Sequence, residues 1–178
     1  MSTFVALFRG INVGGHNKLP MRELNDLLTG LGLQDVATYI QSGNVVFASD
    51  ESDRAALSDR IRQAVHQSHG FAPQVLLLTA EEFAQAAAAN PYPEAEEEPK
   101  TVHLYFLEEA PSNPDLKKLA ALKLDNEHFT LVGKVFYLYA PDGIGRSKLA
   151  AGVENAMGVA VTARNWRSVG RVLEMAQK

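Results

Sequence analysis

The feature that constrains this chain most is an order of elements that occurs twice. Apolar runs of strand length alternate with stretches of helical spacing as β-α-β-β-α-β, first within residues 4–78 and again within 102–163. In the first pass, Phe4 to Phe8 reads as a strand, and Met21, Leu24, Leu27, Leu28 and Leu31 follow at helical spacing behind Pro20. Val36 to Gln41 and Val45 to Ala48 read as a hairpin joined at Gly43-Asn44, a dipeptide that suits a tight turn. A helix with Leu57, Ile61, Ala64 and Val65, closed by Gly70, leads to a strand at Gln74 to Leu78. The second pass runs Val102 to Leu107, a helix opened by Asn113-Pro114, a hairpin around Gly133-Lys134, a helix from Ser147 to Met157 and a short strand at Val159 to Ala163. Each pass is trailed by one more helix. The first carries the capping-box pair Thr79 and Glu82 and stops at Asn90-Pro91; the second runs from Trp166 to Gln177.

This order predicts an α+β chain of two tandem ferredoxin-like subdomains, that is, two α/β plaits. Aligning Gly43 with Gly133 lays SGNVVFA over VGKVFYL. The predicted division is 1–90 for the first plait with its trailing helix, 91–100 for an acidic linker and 101–178 for the second plait with its C-terminal helix. The linker, PYPEAEEEP, holds three prolines and four glutamates and reads as a solvated spacer.

Composition narrows the function classes. A hydrophobic fraction of 46% with 21% charged residues is that of a globular domain. The formal charge of −4 counts against bulk binding of nucleic acid or anionic membrane. With no cysteine there is no disulfide, thiol nucleophile or thiolate metal site. No apolar run approaches a membrane span, and a cytoplasmic location is the expectation.

In a plait the end of the first strand and the turn between the second and third strands share one end of the sheet. The long loop Arg9 to Lys18, with Gly10, Gly14 and Gly15, is therefore expected beside Ser42-Gly43-Asn44. In the second copy the ends of strands three and four coincide, which places PDGIGRSK (141–148) beside Arg164-Asn165-Trp166. Glycine-rich turns that feed helices present free backbone N–H groups to anions. The candidate ligand-binding residues are accordingly Arg9, Asn12, Gly14, Gly15, Ser42 and Asn44 in one group. The other group is Gly145, Arg146, Ser147, Lys148, Arg164, Asn165 and Trp166.

Each stretch also has a plain structural reading. The glycines allow tight turns, Ser147 and Asn165 cap helices, and the ring of Trp166 packs in the core. GINVGGHN approaches GxxxxGK[ST], but His16-Asn17 replaces the Lys-Ser/Thr that holds phosphate and magnesium, so a nucleotide hydrolase is rejected. Ser147 lacks an evident base, no carboxylate pair accompanies these loops, and His66 and His69 lack further ligands for a metal. Catalytic residues are therefore left unassigned, and no metal or cofactor is expected.

Five of these stretches carry a resemblance: ALFRGINVGG at 6–15, TYIQSGNVVF at 38–47, NPY at 90–92, GRSKL at 145–149 and TARNW at 162–166. The chain resembles the bacterial domain-of-unknown-function family numbered sixteen ninety-seven along nearly its whole length, with Phe8 and His16 as departures from the family pattern. The resemblance implies a two-subdomain plait fold and no established activity.

Three function classes follow. The first is a protein that binds a small anionic ligand, phosphate- or carboxylate-bearing, between the two plaits, or an enzyme of unassigned reaction on such a ligand. Arg9 and Arg146 would be the charge partners. The second is an RNA-binding module that stacks bases on Tyr39, Phe47, Tyr137 and Tyr139 across open plait faces. The third is a structural pairing module. Oligomeric state is not readable from the sequence.

Overall fold

Strand β1 (Ser2–Arg9) has β-branched or aromatic side chains on both faces and is buried from Phe4 to Phe8. Such a strand belongs in the middle of a sheet. In the computed structural model, which describes residues 1–178, it pairs antiparallel with β3 (Asn44–Ser49) on one side and β4 (Gln74–Thr79) on the other. Strand β2 (Gln34–Tyr39) adds to β3, so the order is β2-β3-β1-β4. Alternate residues Phe4, Ala6 and Phe8 meet helices α1 (Met21–Gly30) and α2 (Arg54–His69) through Leu24, Leu28, Leu57, Ile61 and Val65. At about 25 cal/mol per Å² of apolar surface, this layer is the main stabilising term of the unit.

The second half repeats the arrangement. Strands β5 (Val102–Leu107), β6 (His128–Val132), β7 (Val135–Tyr139) and β8 (Val161–Asn165) pair antiparallel in the order β6-β7-β5-β8. Tyr105, Leu107, Phe136 and Leu138 pack against α4 (Leu116–Leu122) and α5 (Lys148–Met157) through Leu119, Leu149 and Val153. The chain is thus α+β, with two four-stranded antiparallel sheets and six α-helices once α3 (Ala80–Ala88) and α6 (Trp166–Ala176) are added. No helix is long and apolar enough to cross a membrane.

Registers relate the copies residue by residue. Phe8 N donates to Gly43 O at 2.9 Å, and Leu107 N donates to Lys134 O at 2.8 Å. Phe8 therefore corresponds to Leu107, and Gly43 to Lys134. The glycine-on-glycine alignment is off by one residue, a slip that turns every inward side chain outward. In the corrected register Phe47 matches Leu138, and both lie in the helix-side cores.

The chain divides into two compact units, Met1–Gln85 with Arg171–Lys178, and Ala86–Gly170. Residues 91–100 were expected as a solvated spacer. They fold into two 3-10 turns, Pro93–Ala95 and Pro99–Thr101, in which Ala95 and Thr101 are buried. The capping box at the start of α3 forms as expected: Thr79 N donates to Glu82 Oε2 and Glu82 N to Thr79 Oγ1.

Candidate functional site

In the first unit the long loop folds back on itself. His16 N donates to Val13 O and Asn12 N to Asn17 O, both at 3.0 Å, so Gly14 and Gly15 form the tip of a small exposed hairpin. Their φ values of +59° and +77° explain why glycine stands at both places. As the topology requires, this loop meets the β2–β3 turn. That turn is a four-residue loop, 40–43, rather than the tight Gly43-Asn44 turn expected. At Gly43 (φ +87°) an added Cβ would come within 2.7 Å of Phe8 Cβ and Ile11 Cδ1.

The polar residues of this cluster serve the loop itself. The Asn12 amide donates to Leu19 O and Gln41 O at 2.9 and 2.8 Å and accepts from Leu19 N. Asn44 is fully buried and donates to Tyr39 O and to Ser42 Oγ. These bonds tie three backbone segments together and use both amide hydrogens of each side chain. Arg9 is partly buried at the end of β1, across from Gln74.

In the second unit the ends of β7 and β8 do lie at the same end of the sheet, flanking the start of β5, where Tyr139 opposes Val102 and Asn165 opposes His103. Two strand spacings, roughly 10 Å, separate them. Gly143 (φ +85°) closes one turn and Ser147 N the next, which delivers the chain into α5. Ser147 is the N-cap; its Oγ accepts from Ala150 N at 3.0 Å. Gly145, Arg146 and Lys148 are exposed. Neither Arg146 nor Lys148 makes a hydrogen bond or ion pair, and no acid stands in the first turn of α5. Three acids share this end of the sheet, Asp125 in the 124–127 turn among them. Asp142 accepts from Asn126, and buried Glu127 accepts from Leu124 N.

The third stretch departs from expectation. Arg164 and Asn165 belong to β8, and α6 starts at once with Trp166, so no loop is present. Asn165 accepts from Ser168 N as a helix cap. Arg164 opposes Leu104, so the pleat puts it on the sheet face away from α5, where burial pulls its guanidinium down to about 10. Trp166 is partly buried. The sequence-predicted group therefore splits: Gly145, Arg146, Ser147 and Lys148 share one helix terminus with Asn165 on the same sheet face, and Arg164 points away.

The aromatic platform does not assemble. Phe47 is buried against Phe4 in the helix-side core. Tyr137 is buried and donates to Ala86 O. His69 does find an acid, Glu23 Oε2 at 2.8 Å, supplied by α1 rather than by its own helix. No group of three or more His, Cys, Asp or Glu side chains could hold a metal ion.

One residue at this end escaped the sequence reading. His103 lies in β5, only 9% exposed, and burial lowers its imidazole to about 4. Its Nδ1 is the buried side-chain nitrogen without any hydrogen-bond partner. The available signal was a lone histidine in the apolar strand VHLYFL.

A family model described as "Protein of unknown function (DUF1697)" matches residues 1–137. The chain belongs to the DUF1697 family. The ALFRGINVGG, TYIQSGNVVF and NPY stretches fall inside the matched residues, while GRSKL and TARNW lie beyond them. This DUF1697 chain is also similar to a solved structure described as a conserved bacterial protein from Streptococcus pneumoniae. The two are 26% identical with a TM-score of 0.72, over 100% of this chain and 99% of the other. No curated protein matches the chain.

Proposed function

We propose that this DUF1697 protein binds a small oxyanion, the phosphate or carboxylate group of a metabolite, at the N-terminal end of α5. We also read each unit as a ferredoxin-like plait, since both have the strand order and connections of that fold. One observation carries the functional reading. Helices α2 and α5 occupy the same place in the two units, each joining the third strand to the fourth. Helix α2 begins among acids: Asp53 caps it, Glu51 accepts from Asp53 N, Asp50 pairs with the amino terminus, and its first residue, Arg54, is ion-paired with Glu82. Acids there complement the positive end of the helix dipole. Helix α5 begins instead with Arg146 and Lys148, both unpaired. Cations at that end oppose the dipole, each by roughly 0.3–1 kcal/mol. A bound oxyanion reverses the sign of both interactions and can accept from the first-turn N–H groups of the helix.

The test is thermal stability in inorganic phosphate and, separately, in acetate. Phosphate or acetate should raise the melting temperature in a saturable way. The double variant Arg146→Ala with Lys148→Ala should fold and lose the rise, while Arg54→Ala at the start of α2 should keep it. A rise that survives the double variant rules out this site.

A further inference from the structure

We propose that His103 forms the inner wall of this oxyanion site and donates a hydrogen bond to the ligand through Nε2–H. The inference rests on the reading of α5 as the anion-binding terminus and adds a residue, a tautomer and a direction of approach to it.

Placement comes from register. His103 alternates with Leu104 and so shares a face with Tyr105 and Leu107, which pack in one core with Leu149 and Val153 of α5. Along the strand it lies at the end where α5 begins, because Ala140 N donates to Thr101 O and the 141–147 turns leave from there. Its cross-strand neighbours on that face are Leu138 and Asn165. The ring thus lies in the layer beneath α5, at the end of the sheet where that helix presents its free N–H groups.

The repeat makes this position informative. In register, His103 corresponds to Phe4, Leu138 to Phe47, and Asn165 to Thr79. In the first unit the position is a phenylalanine stacked on Phe47, and the helix above is capped by Asp53 with its first cation, Arg54, paired to Glu82. In the second unit the same position is a histidine and the helix begins with cations. Packing alone is satisfied by phenylalanine, so the imidazole is a departure that packing does not explain. Two independent departures coincide at one end of one unit.

The chemistry of the ring fixes the direction. Nδ1 is enclosed and has no partner, whereas Nε2, equally without a protein partner, is not enclosed and so retains access to solvent. A proton on Nδ1 would be a buried, unsatisfied donor, the costlier of the two orphans. The single proton of the neutral ring therefore sits on Nε2, facing the open side. A neutral N–H donor at the same end of the unit as two surface cations suits an oxyanion, which would accept from all three.

The proposal is tested with inorganic phosphate on the full chain, using His103→Gln and His103→Phe. The glutamine amide can place a donor near the Nε2 position; phenylalanine restores the residue of the first unit and removes the donor. His103→Phe should weaken phosphate by about tenfold, as expected for loss of a hydrogen bond to a charged group. His103→Gln should stay within about threefold of the parent. Long-range imidazole NMR of the parent should show the Nε2–H tautomer, with its resonance moving on phosphate addition. Unchanged affinity in His103→Phe, with binding still lost in the Arg146/Lys148 double variant, overturns the role of His103 and leaves the α5 site standing. An Nδ1–H tautomer overturns it as well. No phosphate binding by the parent chain overturns both readings.

Discussion

The two units share a strand order, the registers of their central strands, and a side-chain N-cap with a closing glycine on α2 and α5, and they differ at the ends of their sheets. The first unit elaborates the end where β1 finishes, with the exposed hairpin of residues 12–17 and a four-residue β2–β3 loop packed on Phe8 and Ile11. At that end the second unit has a two-residue turn at Gly133-Lys134, around which Val132 opposes Val135, and a shorter connection, residues 108–115, from β5 to α4. At the opposite end the charges differ: Asp53 caps α2 and its first residue Arg54 is paired with Glu82, Arg146 and Lys148 flank the Ser147 cap of α5 without partners, and Phe4 is exchanged for His103. The shared parts are those that bury apolar surface. The unshared parts are polar, and in the second unit they run against local stability, which is where a functional demand shows itself.

The comparison can be broken most sharply at the turns. Gly43→Ala must place a Cβ against Phe8 and Ile11 at positive φ, and urea denaturation should show a loss of about 4 kcal/mol. Gly133→Ala, with φ +58° and open space around it, should lose only about 1 kcal/mol. Equal losses would mean that the first loop is not clamped as described.

Next in size is the acid response. His103 holds an imidazole lowered to about 4, below its ordinary 6.5. As pH falls from about 6.5 to about 4, the unfolded chain takes up a proton that the folded chain refuses, so stability drops across that window. At about 1.4 kcal/mol per pH unit, the loss is about 3 kcal/mol by pH 4. The difference in stability between the parent and His103→Phe should therefore move by that amount in favour of the variant as pH falls. A pH-independent difference would contradict the burial of a neutral ring.

The helix termini give smaller effects of opposite sign. Asp53→Ala should cost about 1 kcal/mol through loss of the α2 cap. Lys148→Glu should stabilise by about 0.5 kcal/mol at low salt, because it replaces an unpaired cation in the first turn of α5 with an acid that complements the helix dipole. A destabilised Lys148→Glu chain would show that the lysine is structural and not held for a ligand.

The element order was legible because helix-side residues such as Leu24, Leu28, Leu57 and Ile61 repeat at their own period, and β1 and β5 are apolar runs bounded by turns. The relation between copies was misread because glycines were matched instead of faces; Gly43 is conditioned by Phe8 and Ile11, contacts remote in sequence. The same reason hid the role of Asn12, whose partners include Gln41 O, 29 residues away. Arg164 and Asn165 were read as one loop, although strand alternation sends them to opposite faces. His103 was overlooked because one histidine does not interrupt a buried strand pattern; its meaning appears only once Phe4 is found in its place in the first unit.

The proposed anion site belongs to α5 and not to its counterpart α2. Backbone amide NMR during titration with inorganic phosphate tests it most directly, since the two termini are read in one spectrum. A site at α5 predicts saturable shifts at Gly145, Arg146, Lys148 and Leu149, with Asp53, Arg54 and Ala55 unmoved. Shifts of equal size at both termini, or none at residues 145–149, would contradict it.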